Sequence, residues 1–290
     1  LKKHLRLTRP LTVVFDSSNG TTGPVLKELF RRAPGRYMFL NADIDESFPA
    51  HGPNPLLSGA TRQARAAVRE HHADVGVVFD ADGDRAVFID DAGRDIDPDD
   101  VLFLLARARR GPFLIDVRTG WRVRRHIPKA RWRVTPVGHT NIKRAMRAKR
   151  VAFAGERSGH YYFRPAPGLY VDSGILAANE LLSLVSASRP PLSAIIDALP
   201  RYCRSGEINF RVRDAQSVIA KIERAYRLRA LSTHVDGLTV ERDSFWFNLR
   251  PSGTESFLRL NMEAETPAIL HAERARIRAL LHRQALLRGS

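Results

Sequence analysis

The sequence predicts an α/β protein with two consecutive α/β sheet domains followed by a small α+β C-terminal domain. Three observations carry that expectation. Short apolar runs alternate with helix-like stretches as far as Pro200, the pattern of sheets covered by helices on both faces. Beyond Pro200 the pattern changes to short alternating strands around two helices, which suits a small layered α+β fold. With 290 residues, 43% of them hydrophobic and 27% charged, the chain can build two or three proper cores.

In order, Leu11 to Phe15 reads as a strand ending in the turn-rich run Asp16-Ser17-Ser18-Asn19-Gly20, which opens a helix near Pro24 to Phe30. Tyr37 to Leu40 is a second short strand. Phe48-Pro49 and Gly52-Pro53-Asn54-Pro55 mark a proline-fixed extended connector before a helix from about Ser58 to His72. Val75 to Phe79 is an apolar, β-branched run of buried-strand type, and Ala86 to Ile89 is strand-like too. A second unit starts near Ile96, with an acidic-started helix from Pro98 to Arg109. Its strand candidates are Phe113 to Asp116, Trp132 to Thr135 and Val151 to Ala154, and helices at Gly174 to Ser186 and Leu192 to Leu199 close it. The last unit has strands at Ile208 to Val212, Leu238 to Arg242, Phe245 to Leu249 and Leu258 to Met262. Its helices run from about Ala215 to Ala230 and from Pro267 to Leu287. Domain boundaries are therefore expected at 1–95, 96–200 and 201–290.

Composition excludes several classes. No apolar run approaches the ~20 residues of a membrane helix, and Leu1 to Arg6 lacks the apolar core of a signal peptide. The single cysteine, Cys203, rules out an internal disulfide framework and suits a reducing cytoplasm. A formal net charge of +16 raises a nucleic-acid-binding module as an alternative. No zinc finger, helix-turn-helix or RNA-binding signature accompanies it, so no nucleic acid is expected as partner. A positive field that gathers phosphorylated substrates, or plain arginine-rich usage, accounts for the charge equally well.

Asp80-Ala81-Asp82-Gly83-Asp84-Arg85 is the most informative run. Three carboxylates at alternate positions directly after a buried strand raise one another's pKa, and a hard divalent cation resolves the conflict. A solvated acidic turn is the bland alternative for this run read alone. An EF-hand is excluded, because Arg85 stands where that loop needs Gly and the flanks are strands. Gly155-Glu156-Arg157-Ser158-Gly159-His160 offers a carboxylate, a hydroxyl and an imidazole on a glycine-loosened loop, a set able to grip adjacent sugar hydroxyls. Alone it is equally a structural turn. Arg250-Pro251-Ser252-Gly253-Thr254-Glu255 with Arg259 brackets Ser, Gly and Thr between two guanidinium groups, the chemistry of a phosphate cradle. A hairpin loop with solvated arginines is its alternative.

Taken together, in this order and spacing, the three runs resemble the α-D-phosphohexomutases, most closely the phosphomannomutase/phosphoglucomutase branch. Phe48-Pro49 with Pro53-Asn54-Pro55, Gly138-His139 and Asp172-Ser173-Gly174 add supporting matches, so the likeness covers essentially the whole chain. The resemblance implies an enzyme interconverting hexose 6-phosphates and hexose 1-phosphates through a phosphoserine and a hexose 1,6-bisphosphate, and the cysteine usage places it in the cytoplasm. Asp80, Asp82 and Asp84 would hold Mg²⁺, with Arg85 steadying the phosphoserine. Glu156, Ser158 and His160 would meet the sugar, and Arg250, Ser252, Gly253, Thr254 and Arg259 the phosphate that is not reacting. His139 and Arg118 would lie near the reacting oxygen, Arg118 as an electrostatic clamp because arginine stays protonated.

Family members have four domains, and the resemblance starts this chain at the second. The loop that carries the phosphoserine, of the Thr-Ala-Ser-His-Asn-Pro type, has no counterpart in the sequence. The chain is therefore expected to lack the phosphoserine domain and to be inactive by itself. Ser256, where the family usually has proline, is a second departure. A phosphoglucosamine mutase and a non-catalytic phosphosugar-binding protein stay open as alternatives. The motifs do not separate glucose from mannose.

Overall fold

The computed structural model describes residues 5–226, 231–252 and 256–285. The first sheet grows from β1 (Leu11–Asp16), α1 (Thr22–Phe30), β2 (Gly35–Leu40), α2 (Arg62–Glu70), β3 (Val75–Phe79), β4 (Ala86–Asp90) and β5 (Asp95–Ile96). Its order is β2-β1-β3-β4-β5, with β1 parallel to both β2 and β3 and the last two strands antiparallel. The chain leaves β1 toward β2 and returns on its other side at β3. Such a reversal opens a crevice outside the carboxyl ends of the two strands, where α/β sheets commonly bind ligands. Residues 16–20 and the acidic run at 80–84 both begin there.

Every residue of β3 is buried, as its unbroken apolar run requires. Val77 and Phe79 face one side, while Val78 joins Val14, Ala64, Val68 and Ile89 in a core cluster on the other. Gly76 lies under α2, where an added Cβ would sit 2.7 Å from a Val68 methyl and 3.0 Å from the Ile89 Cβ. The helix predicted from Ser58 to His72 is shorter in the structure, because residues 57–61 form successive turns before Arg62.

The second sheet is built from β6 (Phe113–Asp116), β7 (Trp132–Thr135), β8 (Phe153–Gly155), β9 (Tyr161–Ala166) and β10 (Leu169–Asp172), in the order β10-β9-β8-β6-β7. Around it lie α3 (Pro98–Arg107), α4 (Trp121–His126), α5 (His139–Lys149), α6 (Gly174–Ala187) and α7 (Leu192–Asp197). Asp97 caps α3 by accepting from Asp99 N at 2.9 Å, and Pro98 opens the first turn. Such a cap is worth about 1 kcal/mol. The β9–β10 hairpin is not predicted by the sequence. Gly168 turns it at φ +77°, in a Pro-Ala-Pro-Gly context that reads as a loop. The strand expected at 151–154 begins two residues later and takes in Gly155, so the loop that follows it spans 156–160.

The third sheet has the order β11-β15-β14-β13-β12, from β11 (Cys203–Arg211), β12 (Leu231–Thr233), β13 (Leu238–Glu241), β14 (Phe245–Pro251) and β15 (Phe257–Ala264). All its pairings are antiparallel. Helix α8 (Ala215–Tyr226) buries Val218, Ile219, Ile222 and Tyr226, one helical stripe, and α9 (Pro267–Ala285) follows β15. The Tyr226 ring meets Phe247 edge-on at 5.1 Å.

Compact units divide the chain in two. Residues 1–133 with 138–199 form one, and residues 134–137 with 200–290 the other. Among the described residues no helix is long and apolar enough to cross a membrane.

Candidate active site

Strand β3 ends by placing Asp80 in a buried position, while Asp84 is half-buried and Asp82 exposed. One carboxylate oxygen from each of the three lies within 4.8 Å of the others. That span suits oxygen ligands gathered at the ~2.1 Å bonds of Mg²⁺. Burial, reinforced by the Asp84 carboxyl beside it, pushes Asp80 up to about 6. The His160 hydrogen bond instead holds Asp84 far below the usual carboxylate range. A raised and a lowered carboxyl side by side are what crowding of negative charge produces, and a cation relieves it. The donor set, all hard oxygen, fits Mg²⁺.

Arg85 already neutralises part of this charge. Its backbone N–H donates to Asp80 Oδ1 at 3.0 Å, its Nε donates to Asp80 Oδ2 at 2.6 Å, and its Nη1 donates to Asn54 Oδ1 at 3.3 Å. The loop's backbone is gripped from several sides. Ala81 O accepts from Thr21 N at 2.8 Å, and Ala81 N donates to Pro53 O at 3.2 Å. Gly83 O accepts from Gly174 N at 2.9 Å, and Ala86 N donates to Gly159 O at 3.1 Å. Gly83 itself has φ +74°, the left-handed conformation that lets the loop reverse without a Cβ clash.

Gly174 explains the Asp172-Ser173-Gly174 match in physical terms. Its N–H starts α6 against the acidic loop, and an added Cβ would stand 2.6 Å from Arg85 O. Backbone would have to move. Gly174→Ala is therefore expected to destabilise the chain by about 1–3 kcal/mol, the cost of overpacking a tight site, and to weaken divalent-cation binding. Urea unfolding and metal titration on the same preparation check both. Unchanged binding in a destabilised variant would show that α6 supports the sheet but not the loop.

On the sugar-loop run, Glu156 is buried and closely held. Tyr162 Oη donates to Glu156 Oε2 at 2.6 Å, Gly138 N donates to Oε1 at 2.8 Å, and Ser158 Oγ donates to Oε2 at 3.4 Å. Burial, with the Glu156 carboxylate beside it, drives the Tyr162 phenol far above its ordinary pKa, so it stays a donor. His160 bridges the two loops. Its Nε2 is 3.3 Å from Asp84 Oδ2, and its Nδ1 is 3.5 Å from Glu156 Oε2 and 2.9 Å from Ser158 Oγ. The structure thus brings Asp84, Glu156, Ser158 and His160 into one network.

Arg118 is nearly buried, against Asp116 at 2.6 Å and Glu156 at 3.6 Å. Burial alone would raise the Asp116 carboxyl, but the Arg118 guanidinium and N–H donors outweigh it and leave Asp116 below its usual value. His139 is exposed at the first residue of α5, next to the Gly138 N–H that holds Glu156.

In the second unit Arg250 on β14 and Arg259 on β15 are directly opposed cross-strand partners. Like charges in that register repel unless an anion joins them. Glu207 on β11 accepts from Arg250 Nη2, Arg259 Nη1 and Asn261 Nδ2, each at 3.4 Å. Arg259 Nη2 also donates to Ser252 Oγ at 3.2 Å, and Ser252 N donates to Phe257 O at 2.8 Å. Gly253 and Thr254 lie outside the described residues.

Three family models match consecutive stretches. They are phosphoglucomutase/phosphomannomutase alpha/beta/alpha domain II over residues 2–93, alpha/beta/alpha domain III over residues 97–202, and the C-terminal domain over residues 207–280. A phosphomannomutase of Escherichia coli is 34% identical over 299 residues, covering 94% of this chain and 63% of the relative. A phosphoglucomutase/phosphomannomutase family protein from Burkholderia thailandensis superposes with a TM-score of 0.87 at 29% identity, over 100% of this chain and 63% of that one. The Aspergillus fumigatus N-acetylphosphoglucosamine mutase, solved with GlcNAc-6P and magnesium, shares the fold with a TM-score of 0.63 at 14% identity, over 97% of this chain and 62% of that one. Fold and motifs define a sugar-phosphate mutase scaffold, and the chain belongs to the phosphoglucomutase/phosphomannomutase family. It spans about three fifths of the length of the curated relatives it matches.

Sequence reasoning did not single out Tyr162, Glu207 or Asn54. Tyr162 sits in Tyr161-Tyr162-Phe163, which reads as strand core, and Glu207 is one acid in an ordinary strand. Asn54 stood only as a supporting match, and its tie to Arg85 emerges from the fold.

Proposed function

We propose that this chain supplies the metal, sugar and phosphate elements of a phosphohexomutase that interconverts hexose 6-phosphate and hexose 1-phosphate. The observation that carries the reading is the set of three family motifs, with the acidic trio drawn within 4.8 Å and two arginines opposed across a strand pair. In the proposed reaction a phosphoserine gives its phosphoryl group to the free sugar hydroxyl, and the serine oxygen takes a proton in exchange. The bisphosphorylated sugar reorients and returns its other phosphoryl group to the serine. Relatives named phosphomannomutase support this class of reaction.

Asp80, Asp82 and Asp84 would hold Mg²⁺, which when bound neutralises charge developing on a transferring phosphoryl group. Arg85, anchored through Asp80 and Asn54, offers guanidinium charge to the same phosphate. Glu156 and Ser158 meet sugar hydroxyls, with His160 joining that loop to Asp84. Arg118 holds charge beside Glu156, and His139 stands at the mouth of α5. Arg250, Ser252 and Arg259, together with Gly253 and Thr254, grip the idle phosphate, which displaces the Glu207 carboxylate from the two guanidinium groups. The three stretches 1–95, 96–200 and 201–290 divide these duties.

Loss of one guanidinium tests the division of labour. Arg250→Ala is expected to weaken hexose-phosphate binding by about tenfold or more, the loss of a charge-assisted contact worth ~1.5–3 kcal/mol. Binding of unphosphorylated hexose should be untouched. Glu156→Ala should instead impair both ligands and blur discrimination between sugars that differ at one hydroxyl. Calorimetric titration of the 290-residue chain with both ligand types checks this, and equal effects of the two changes on every ligand would refute it.

A further inference from the structure

The connector between β2 and α2 is mostly exposed from Asp43 to Ala50, yet it reaches the metal loop at two points. Pro53 O accepts from Ala81 N at 3.2 Å, and Asn54 Oδ1 accepts from Arg85 Nη1 at 3.3 Å. Between the exposed stretch and these two contacts lies His51, with 9% of its side chain exposed. Its Nε2 is 3.2 Å from both oxygens of Asp16, a fully buried carboxylate at the carboxyl end of β1. Asp16 also accepts from Ser18 N at 2.9 Å and from Asn41 Nδ2 at 3.0 Å.

Backbone strain gathers around this pair. Ser18, Asn19, Asn41 and Phe48 all have positive φ, between 47° and 55°. For a bulky residue such as Phe48 that conformation is a genuine outlier, kept only where the surroundings enforce it. Asp45 N donates to Asn19 O at 3.0 Å, which fixes the connector's start. His51 is a nearly buried side-chain tie at the start of its second half.

We propose that His51 is a positioning residue for the metal loop: its ring, held on Asp16, pins the connector so that Pro53 O and Asn54 fix Ala81 and Arg85. Two 3.2 Å contacts to the buried carboxylate make the tie, and the hydrogen bond to Asp16 raises the His51 pKa against the lowering effect of burial, favouring an ion pair. Asp16 is the charged group facing the ring. The metal consequence rests on Asp80, Asp82 and Asp84 being the cation's ligands, whereas the backbone consequence does not.

Hydrogen exchange of the 290-residue chain without metal decides the backbone claim. In His51→Ala the Ala81 amide is expected to exchange about tenfold faster, with Val87 on the neighbouring strand unchanged. His51→Gln, whose amide can donate to the same carboxylate, should restore most of the protection. Where His51→Ala does not fold, His51→Asn provides the shortened side chain. Ala81 protection at the wild-type level, or uniform acceleration across β1, β3 and β4, overturns the proposal. In parallel, Mn²⁺ titration should show affinity about three- to tenfold lower in His51→Ala and recovered in His51→Gln. Equal Mn²⁺ affinity in a folded His51→Ala chain overturns the metal consequence. If wild type shows no Mn²⁺ binding that Asp82→Ala removes, the metal reading itself has failed, and the exchange result still stands or falls separately.

Discussion

Replacing Asp82 by Ala is expected to weaken Mg²⁺ binding by about 10- to 100-fold while leaving thermal stability nearly unchanged. Asp82 is exposed and holds no structural contact comparable to those of Asp80 or Asp84, so on the proposed reading its loss would remove a hard ligand without opening a cavity. Asn should be milder, since it keeps an oxygen and loses the charge. Titration calorimetry also carries a pH signature. Asp80 lies at about 6 in the folded chain, so below that pH a proton must leave before the cation binds. Affinity should therefore fall as pH is lowered through about 6, in both wild type and Asp82→Ala. The sign for metal-free stability is opposite. A carboxyl raised in the folded state binds its proton more tightly than in the unfolded chain, so acidification from about 6 toward the ordinary Asp value of 3.8 favours the fold. Unchanged Mg²⁺ affinity in Asp82→Ala would remove the metal-loop assignment.

The acidic run was legible because its energetics are local. Three carboxylates within five residues, after a strand that must be buried, pose a charge problem readable from the sequence alone, which the distant His160 eases only at Asp84. The arginine pair was half legible. Two guanidinium groups flanking a Ser-Gly-Thr loop suggest an anion, but their direct opposition depends on the β14–β15 register, which is set by the turn and by core packing. Glu207 entered that site from β11, a strand some fifty residues upstream, and no local pattern announces it. Strands Val75–Phe79 and Phe113–Asp116 match the sequence reading to the residue, the first an apolar run between Asp74 and Asp80 and the second a run opened by Gly111-Pro112.

What stayed hidden is the support beneath the site. Glu156 reads as a free carboxylate in a loop, yet the fold surrounds it with Tyr162, Gly138 and Ser158. On the proposed reading, sugar hydroxyls would therefore join an occupied carboxylate, using lone pairs those donors leave. Arg118 reads as a clamp for substrate, and the structure gives it Asp116 and Glu156 as partners. Gly174 shows only as part of a motif match, and His51 carries no signature at all. Their importance comes from backbone approach and from a buried ion pair, both products of tertiary packing.

The second large effect concerns turnover. Residues 1–290 alone are expected to show no measurable conversion of hexose 6-phosphate to hexose 1-phosphate, even with glucose 1,6-bisphosphate added. The reaction needs a nucleophile that is phosphorylated and restored in each cycle, and Ser158, Ser252 and Ser18 are engaged otherwise. Ser158 Oγ lies 2.9 Å from His160 Nδ1 and beside the Glu156 carboxylate, where a phosphate dianion would be repelled. Ser252 Oγ accepts from Arg259 in the strand pair assigned to the idle phosphate. Ser18 is buried and donates to Phe79 O. Supplying a family phosphoserine domain in trans should restore activity to the extent that it docks, and a variant of that domain lacking the serine should not. A coupled assay with and without that domain measures this. Robust turnover by the 290 residues alone would place a working nucleophile inside this chain, and Ser158 and Ser252 could then no longer be confined to holding sugar and idle phosphate.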